Sequence, residues 1–150
     1  MNYTYYMEKA YKNAQEACKI NEVPIGCVIV LNGIIIGSGY NRRNAERNAL
    51  RHAEIIAIDE ACKFLCDWRL EDASLFVTVE PCAMCAGAIV QARIKEVIFG
   101  TRNAKAGCGG SVLNILSEPR FNHKVEVIEG IMQEECSKLM SEFFSNLRRA

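Results

Sequence analysis

No stretch of this chain reaches the ~18 consecutive apolar residues that cross a bilayer as a helix. The opening Met1-Asn2-Tyr3-Thr4 has neither the basic stretch nor the apolar core of a secretion signal. Both absences argue against a membrane partner. Neither sign of charge is in excess, since 18 Lys and Arg balance 18 Asp and Glu. The molecule as a whole is therefore not the polycation that phosphate neutralisation favours. Internal repeats, low-complexity tracts and linkers are missing too. What remains is a chain of 150 residues, half of them apolar, long enough for one domain with a real core over residues 1–150. Eight cysteines would suit a disulfide framework in a secreted chain. Without a signal the expectation is a reducing, cytoplasmic setting, with two cysteines on a metal and the rest mostly buried thiols. Cys18, Cys27, Cys62, Cys66 and Cys136 fall on apolar faces and are expected in the core.

The hydrophobic pattern changes period along the chain. Residues 4–20 repeat apolar positions at helical spacing through Met7, Ala10, Tyr11, Ala14, Ala17 and Cys18. Gly26 to Leu31 and Ile34 to Gly37 flank Asn32-Gly33, a pair suited to the two positive φ angles of a hairpin turn. These strands are nearly continuous apolar runs, which predicts cover on both faces. A polar loop, residues 39–51, leads into a helix over 52–66 with apolar positions at Ile55, Ile58, Cys62 and Leu65. Strands are predicted over 74–80, 95–100 and 125–128, and helices over 83–91, 111–116 and 130–147. Residues 101–110 form a glycine-rich polar loop of the kind that carries function. Strands alternating with helices after an initial hairpin predict an α/β fold.

Two short motifs carry the chemistry: His52-Ala53-Glu54, and Pro81-Cys82-Ala83-Met84-Cys85. Together they offer one imidazole and two thiols. A structural zinc site is closed by four protein ligands, whereas a catalytic one keeps three and leaves a position for water. Zinc held by His52, Cys82 and Cys85, one ion per chain, would acidify that water, and Glu54 would handle its protons. Each triad member stands at or near a predicted helix start, where the partial positive charge favours thiolate. The bland alternative makes Cys82 and Cys85 core thiols, His52 a surface imidazole and Glu54 an acid that complements a helix dipole. Either motif alone allows it. Both together, with Glu54 in register, favour the metal.

His-x-Glu followed by Pro-Cys-x-x-Cys resembles the signature of the zinc nucleoside and nucleobase deaminases. Glu22 to Gly26, Val77 to Gly87, Arg93-Ile94, Phe99-Gly100, Asn122-His123 and the ending from Phe143-Phe144 to Arg149 resemble the bacterial tRNA-specific adenosine deaminase family. The resemblance spans almost the whole chain. It implies a cytidine-deaminase-like three-layer α/β/α sandwich around a mixed five-stranded sheet. It also implies adenosine-to-inosine conversion at the wobble position of a tRNA anticodon stem-loop, by a homodimer. Asn41 and the backbone of Ala53 would then contact the target base, and Pro24 and Ile25 would wall its pocket. Read from the residues alone, Asn41 is more readily a turn or capping asparagine than a base contact. Phe144 and the basic end would help hold the anticodon loop, although helical core packing also explains Phe143 and Phe144.

Two departures from the family stand out. Members usually carry aspartate where this chain has Asn103, in the loop beside bound RNA; asparagine drops a charge, which implies weaker repulsion of the backbone and looser discrimination at the 2′-hydroxyl. Arg51 replaces the small residue usual before the histidine. Arg42, Arg43, Arg47 and Arg51 crowd the approach to His52, with Lys105, Arg120, His123, Lys124, Arg148 and Arg149 further on; they form either a phosphate-binding surface or an ordinary solvated face. The enzymatic alternative is a deaminase of free guanine, cytosine or deoxycytidylate. The non-enzymatic one is a zinc-stabilised RNA-binding module, which would lose nothing on Glu54→Ala.

Overall fold

Along β1 (Gly26–Leu31) successive side chains alternate between two apolar layers. In the computed structural model, which describes residues 1–149, Cys27 and Ile29 enter one buried cluster and Val28 and Val30 another. β3 (Ser74–Val79) is buried along its whole length and splits likewise, Leu75 and Val77 to the first cluster and Phe76 to the second. β2 (Ile34–Tyr40), β4 (Glu96–Thr101) and β5 (Glu126–Glu129) complete a five-stranded sheet in the order β2-β1-β3-β4-β5. β1 is antiparallel to β2 and to β3, while β3, β4 and β5 run parallel. The hairpin turn is as expected, with Asn32 at φ 51° and Gly33 at 77°.

Helices cover both faces, giving the expected three layers. α2 (Ala53–Leu65) and α3 (Ala83–Gln91) cover the first cluster; α1 (Tyr3–Lys19) covers the second through Met7 and Ala10. α4 (Gln133–Arg149) lies against the same face as α1, with Cys136 packed on Gly100.

Three expectations are corrected. The buried stripe of α2 is Ala53, Ala57 and Ala61, with Ile58, Cys62 and Leu65 at its margin. The cause is the close crossing over β2: a Cβ on Gly37 would lie 2.2 Å from the Ala57 carbonyl oxygen, and one on Gly39 2.6 Å from that of Ala53. Only small residues fit between the two backbones. Second, Cys66 is exposed, because it is the left-handed cap that ends α2, at φ 53°. Third, residues 111–116 form no helix. Their amides are engaged elsewhere, Ser111 with the Glu80 carboxylate and Val112 with the Gly107 carbonyl.

Candidate active site at one end of the sheet

The strand directions bring the sequence motifs together. β2, β3 and β4 end where β1 begins, so Asn41, Pro81-Cys82, Asn103 and Ile25 all emerge at the same end of the sheet. A cleft of about 150 Å3 opens there, lined by Ile25, Asn41, Ala53, Glu54, Glu80 and Asn103 with His52 and Cys82.

Both helices that feed the cleft begin on a ligand. His52 is the N-cap of α2 and Cys82 that of α3, and neither side chain caps its own helix. At most N-caps an oxygen accepts a backbone N–H; here the lone pairs are left for a cation. His52 Nδ1 stands 3.6 Å from the Sγ of Cys82 and 3.6 Å from that of Cys85, and the three ligand atoms all lie within 4.8 Å of one another. The donor set is soft and compact, and fits a d10 divalent metal. Its charge state fits as well. A hydrogen bond from Cys85, helped by His52, pulls the Cys82 thiol down to about 3. Sharing a proton with that thiolate, together with burial, pushes Cys85 up, and the thiolate also raises the His52 imidazole.

Glu54 occupies the first turn of α2 and is 3% exposed. Burial lifts its carboxyl to about 7, opposed by its own backbone N–H; a cation alongside would draw it down again. Ala53 is the first helical residue, so its N–H has no partner within the helix, and the residue is part of the cleft lining. Asn41 is buried, donating through Nδ2 to the Val23 carbonyl at 3.3 Å and accepting the Arg43 N–H at 3.2 Å. The turn role and the cleft position are thus held by one side chain. Asn103 accepts the Ala106 N–H through Oδ1 at 3.2 Å. Val23 lines the cleft beside Ile25, whereas Pro24 does not.

Phe144 is not part of this cleft. It lies on α4, edge-on to the buried Phe143 with ring centroids 5.3 Å apart. Nor do the basic residues form one surface. Arg43 lines the cleft, but His123 donates to the Ile94 carbonyl at 2.7 Å, at the opposite end of the sheet where β4 begins. Arg51 reaches Glu46 at 3.2 Å, and Glu46 also holds Arg42 at 2.7 Å.

Sequence reasoning missed two buried glutamates. Glu22 accepts the Ala45 N–H at 2.7 Å. Glu80 accepts bonds from Asn103, Gly109 and Ser111. Burial pushes the Glu80 carboxyl up, but these donors outweigh it and leave it below the ordinary glutamate value. The only signal was a glutamate closing an otherwise apolar strand.

Comparison with known proteins agrees with this geometry. Residues 1–148 match the family model of the MafB19-like deaminases. A tRNA-specific adenosine deaminase of Bacillus subtilis (strain 168) is 51% identical over 144 residues, 96% of this chain and 89% of that protein. A solved structure from a study of A-to-I editing by tRNA:A34 deaminases at the wobble position of transfer RNA superposes with TM-score 0.87 at 39% identity, covering 91% of this chain and 99% of the other. A guanine deaminase from Nitrosomonas europaea shares the fold alone, at TM-score 0.82 and 19% identity over 95% of this chain and 84% of that one. On signature, fold and identity together, the chain belongs to the tRNA-specific adenosine deaminase family.

Proposed function

We propose that this protein hydrolyses adenosine to inosine at the wobble position of a tRNA anticodon, with zinc held by His52, Cys82 and Cys85. The observation that carries the reading is the three-ligand cluster with a buried carboxyl, Glu54, two residues from the histidine. Zinc in this cradle would supply a water acidified toward neutral pH. Glu54 takes one proton from the attacking water as the bond to C6 forms, and passes it to N1 of the base. The water's second proton crosses Glu54 to the exocyclic nitrogen, the C6–N bond breaks and ammonia leaves. A group that moves protons twice must titrate near the working pH; burial raises the Glu54 carboxyl, and a bound cation would act against that rise. Asn41 and the Ala53 N–H orient the base, and Ile25 packs on it.

The substrate is a loop base that is already unstacked, the form in which proteins read RNA sequence. Arg43 at the cleft supplies a local positive charge that the net balance conceals. A homodimer is supported by the family and by the apolar groove along Ile58, Cys62, Trp68 and Ala88, in which Trp68 is 53% exposed; analytical ultracentrifugation would test it. The absence of any disulfide among the eight cysteines, two of them assigned to zinc, is in keeping with a reducing, cytoplasmic setting. The deciding experiment incubates the protein with an adenosine-containing anticodon stem-loop and analyses the nucleosides. Inosine is expected. Ammonia from free guanine or cytosine, with none from the stem-loop, would replace this reading by the free-base alternative.

A further inference from the structure

The connection from β4 to β5 contributes Asn103 and Ala106 to the cleft lining and has no helix or strand to hold it. Its first half folds back twice. Asn103 accepts the Gly107 N–H on its carbonyl at 2.8 Å, and Gly109 pairs with Asn114 in an isolated bridge. Both folds hang on one side chain. Glu80, at the end of β3 and 2% exposed, accepts the Asn103 N–H at 3.0 Å and the Ser111 hydroxyl on Oε1. Its Oε2 accepts the Gly109 N–H at 2.9 Å and the Ser111 N–H at 3.0 Å. Four donors thus occupy the two oxygens, about the full acceptor capacity of a carboxylate. Among the described residues no Lys or Arg pairs with it. The carboxyl also packs on Gly107, where an added Cβ would come within 2.3 Å of the Glu80 Cδ.

We propose that Glu80 is a positioning residue that fixes residues 102–113 as one wall of the cleft, and so governs how tightly the nucleotide is held rather than how fast it reacts. The geometry separates these two roles. Glu80 reaches Asn103, which lines the cleft, but makes no hydrogen bond to His52, Glu54, Cys82 or Cys85. A neutral partner cannot replace it. Glutamine presents one carbonyl oxygen and an NH2 group; the Ser111 hydroxyl can turn to accept, but at least one of the three backbone N–H groups would meet a donor. The proposal rests on the adenosine deaminase reading for its kinetic part only.

The test measures KM and kcat on an adenosine stem-loop, bound metal per chain, and hydrogen exchange at Asn103, Gly109 and Ser111 for the wild type, Glu80→Gln and Ser111→Ala. The wild type making inosine establishes the reaction separately. For Glu80→Gln, losing buried hydrogen bonds should raise KM roughly tenfold or more and speed exchange at the three amides, with kcat within about threefold and metal content unchanged. Ser111→Ala removes one donor while keeping the carboxylate, and should shift KM the same way by less. It decides the matter if Glu80→Gln does not fold. Unchanged exchange at the three amides, or an unchanged KM in an active protein, overturns the proposal. So does a fall in kcat that tracks loss of metal.

Discussion

Residues 41–51 and residues 102–113 both contribute to the cleft, through Asn41 and Arg43 on one side and Asn103 and Ala106 on the other, and they are fastened by different physics. The first loop is tied on its outside by ions. Arg42 and Arg51 both reach Glu46, and all three side chains are about one third exposed; inside, Glu22 takes the Ala45 N–H and Asn41 bonds to the Val23 carbonyl and the Arg43 N–H. The second loop is tied from within by Glu80, which is buried and bonded to four neutral donors. Exposed ion pairs contribute about 0–1 kcal/mol each and are screened by salt. A buried carboxylate whose bonds are all made is screened far less, and costs much more to disturb. One wall of the cleft should therefore yield to ionic strength and to the ligand, and the other should keep its shape. Beneath both walls lies the floor of His52, Glu54, Cys82 and Cys85, set on two helix N-termini.

The sharpest way to break this division is to remove the floor without touching the walls. Glu54→Ala should fold, retain its metal and bind a stem-loop, while deamination falls by about 10^3-fold or more, since general acid–base groups contribute on the order of 10^2–10^4. Retained activity would move the proton chemistry onto a wall. Next in size is Asn41→Ala. It strips the Val23 carbonyl and the Arg43 N–H of their partners, so KM for the stem-loop should rise roughly tenfold. An unchanged KM would reduce Asn41 to a turn residue. Asn103→Asp tests the rigid wall from its cleft side. Aspartate can accept the Ala106 N–H as asparagine does, so the melting temperature should hold while the RNA-to-DNA preference rises a few-fold. Identical ratios for the two proteins would dispose of a role for that charge. The smallest effect belongs to Glu46→Gln, which releases both arginines of the softer wall. KM should change by less than about fivefold at low salt, and the difference should vanish near 1 M salt, where the Debye length is about 3 Å.

Much of this was legible in the sequence because it follows from local periodicity and short motifs. The hairpin and the start of α2 on His52 needed only apolar spacing and turn chemistry. The metal cluster needed only ligand types at fixed intervals. What the sequence concealed depends on contacts between distant segments. The alanine stripe of α2 is set by the approach of Gly37 and Gly39 from another strand. The missing helix at 111–116 was outcompeted by Glu80, 31 residues away in the chain. Arg51 reads as an intrusion at the rim until its tie to Glu46 is seen. Pro81 precedes the N-cap Cys82 of α3, one place short of the first helical position where proline is favoured.

The central claim is a metal kept one protein ligand short. Among the described residues, His52, Cys82 and Cys85 alone bring His, Cys or carboxylate ligand atoms within 4.8 Å of one another as a group of three or more. X-ray absorption at the zinc edge of the purified protein would count the donors directly. The account predicts two sulfurs with two lighter atoms, of which only one is an imidazole nitrogen; three or more sulfurs, or a second carboxylate or imidazole closing the shell, would contradict it.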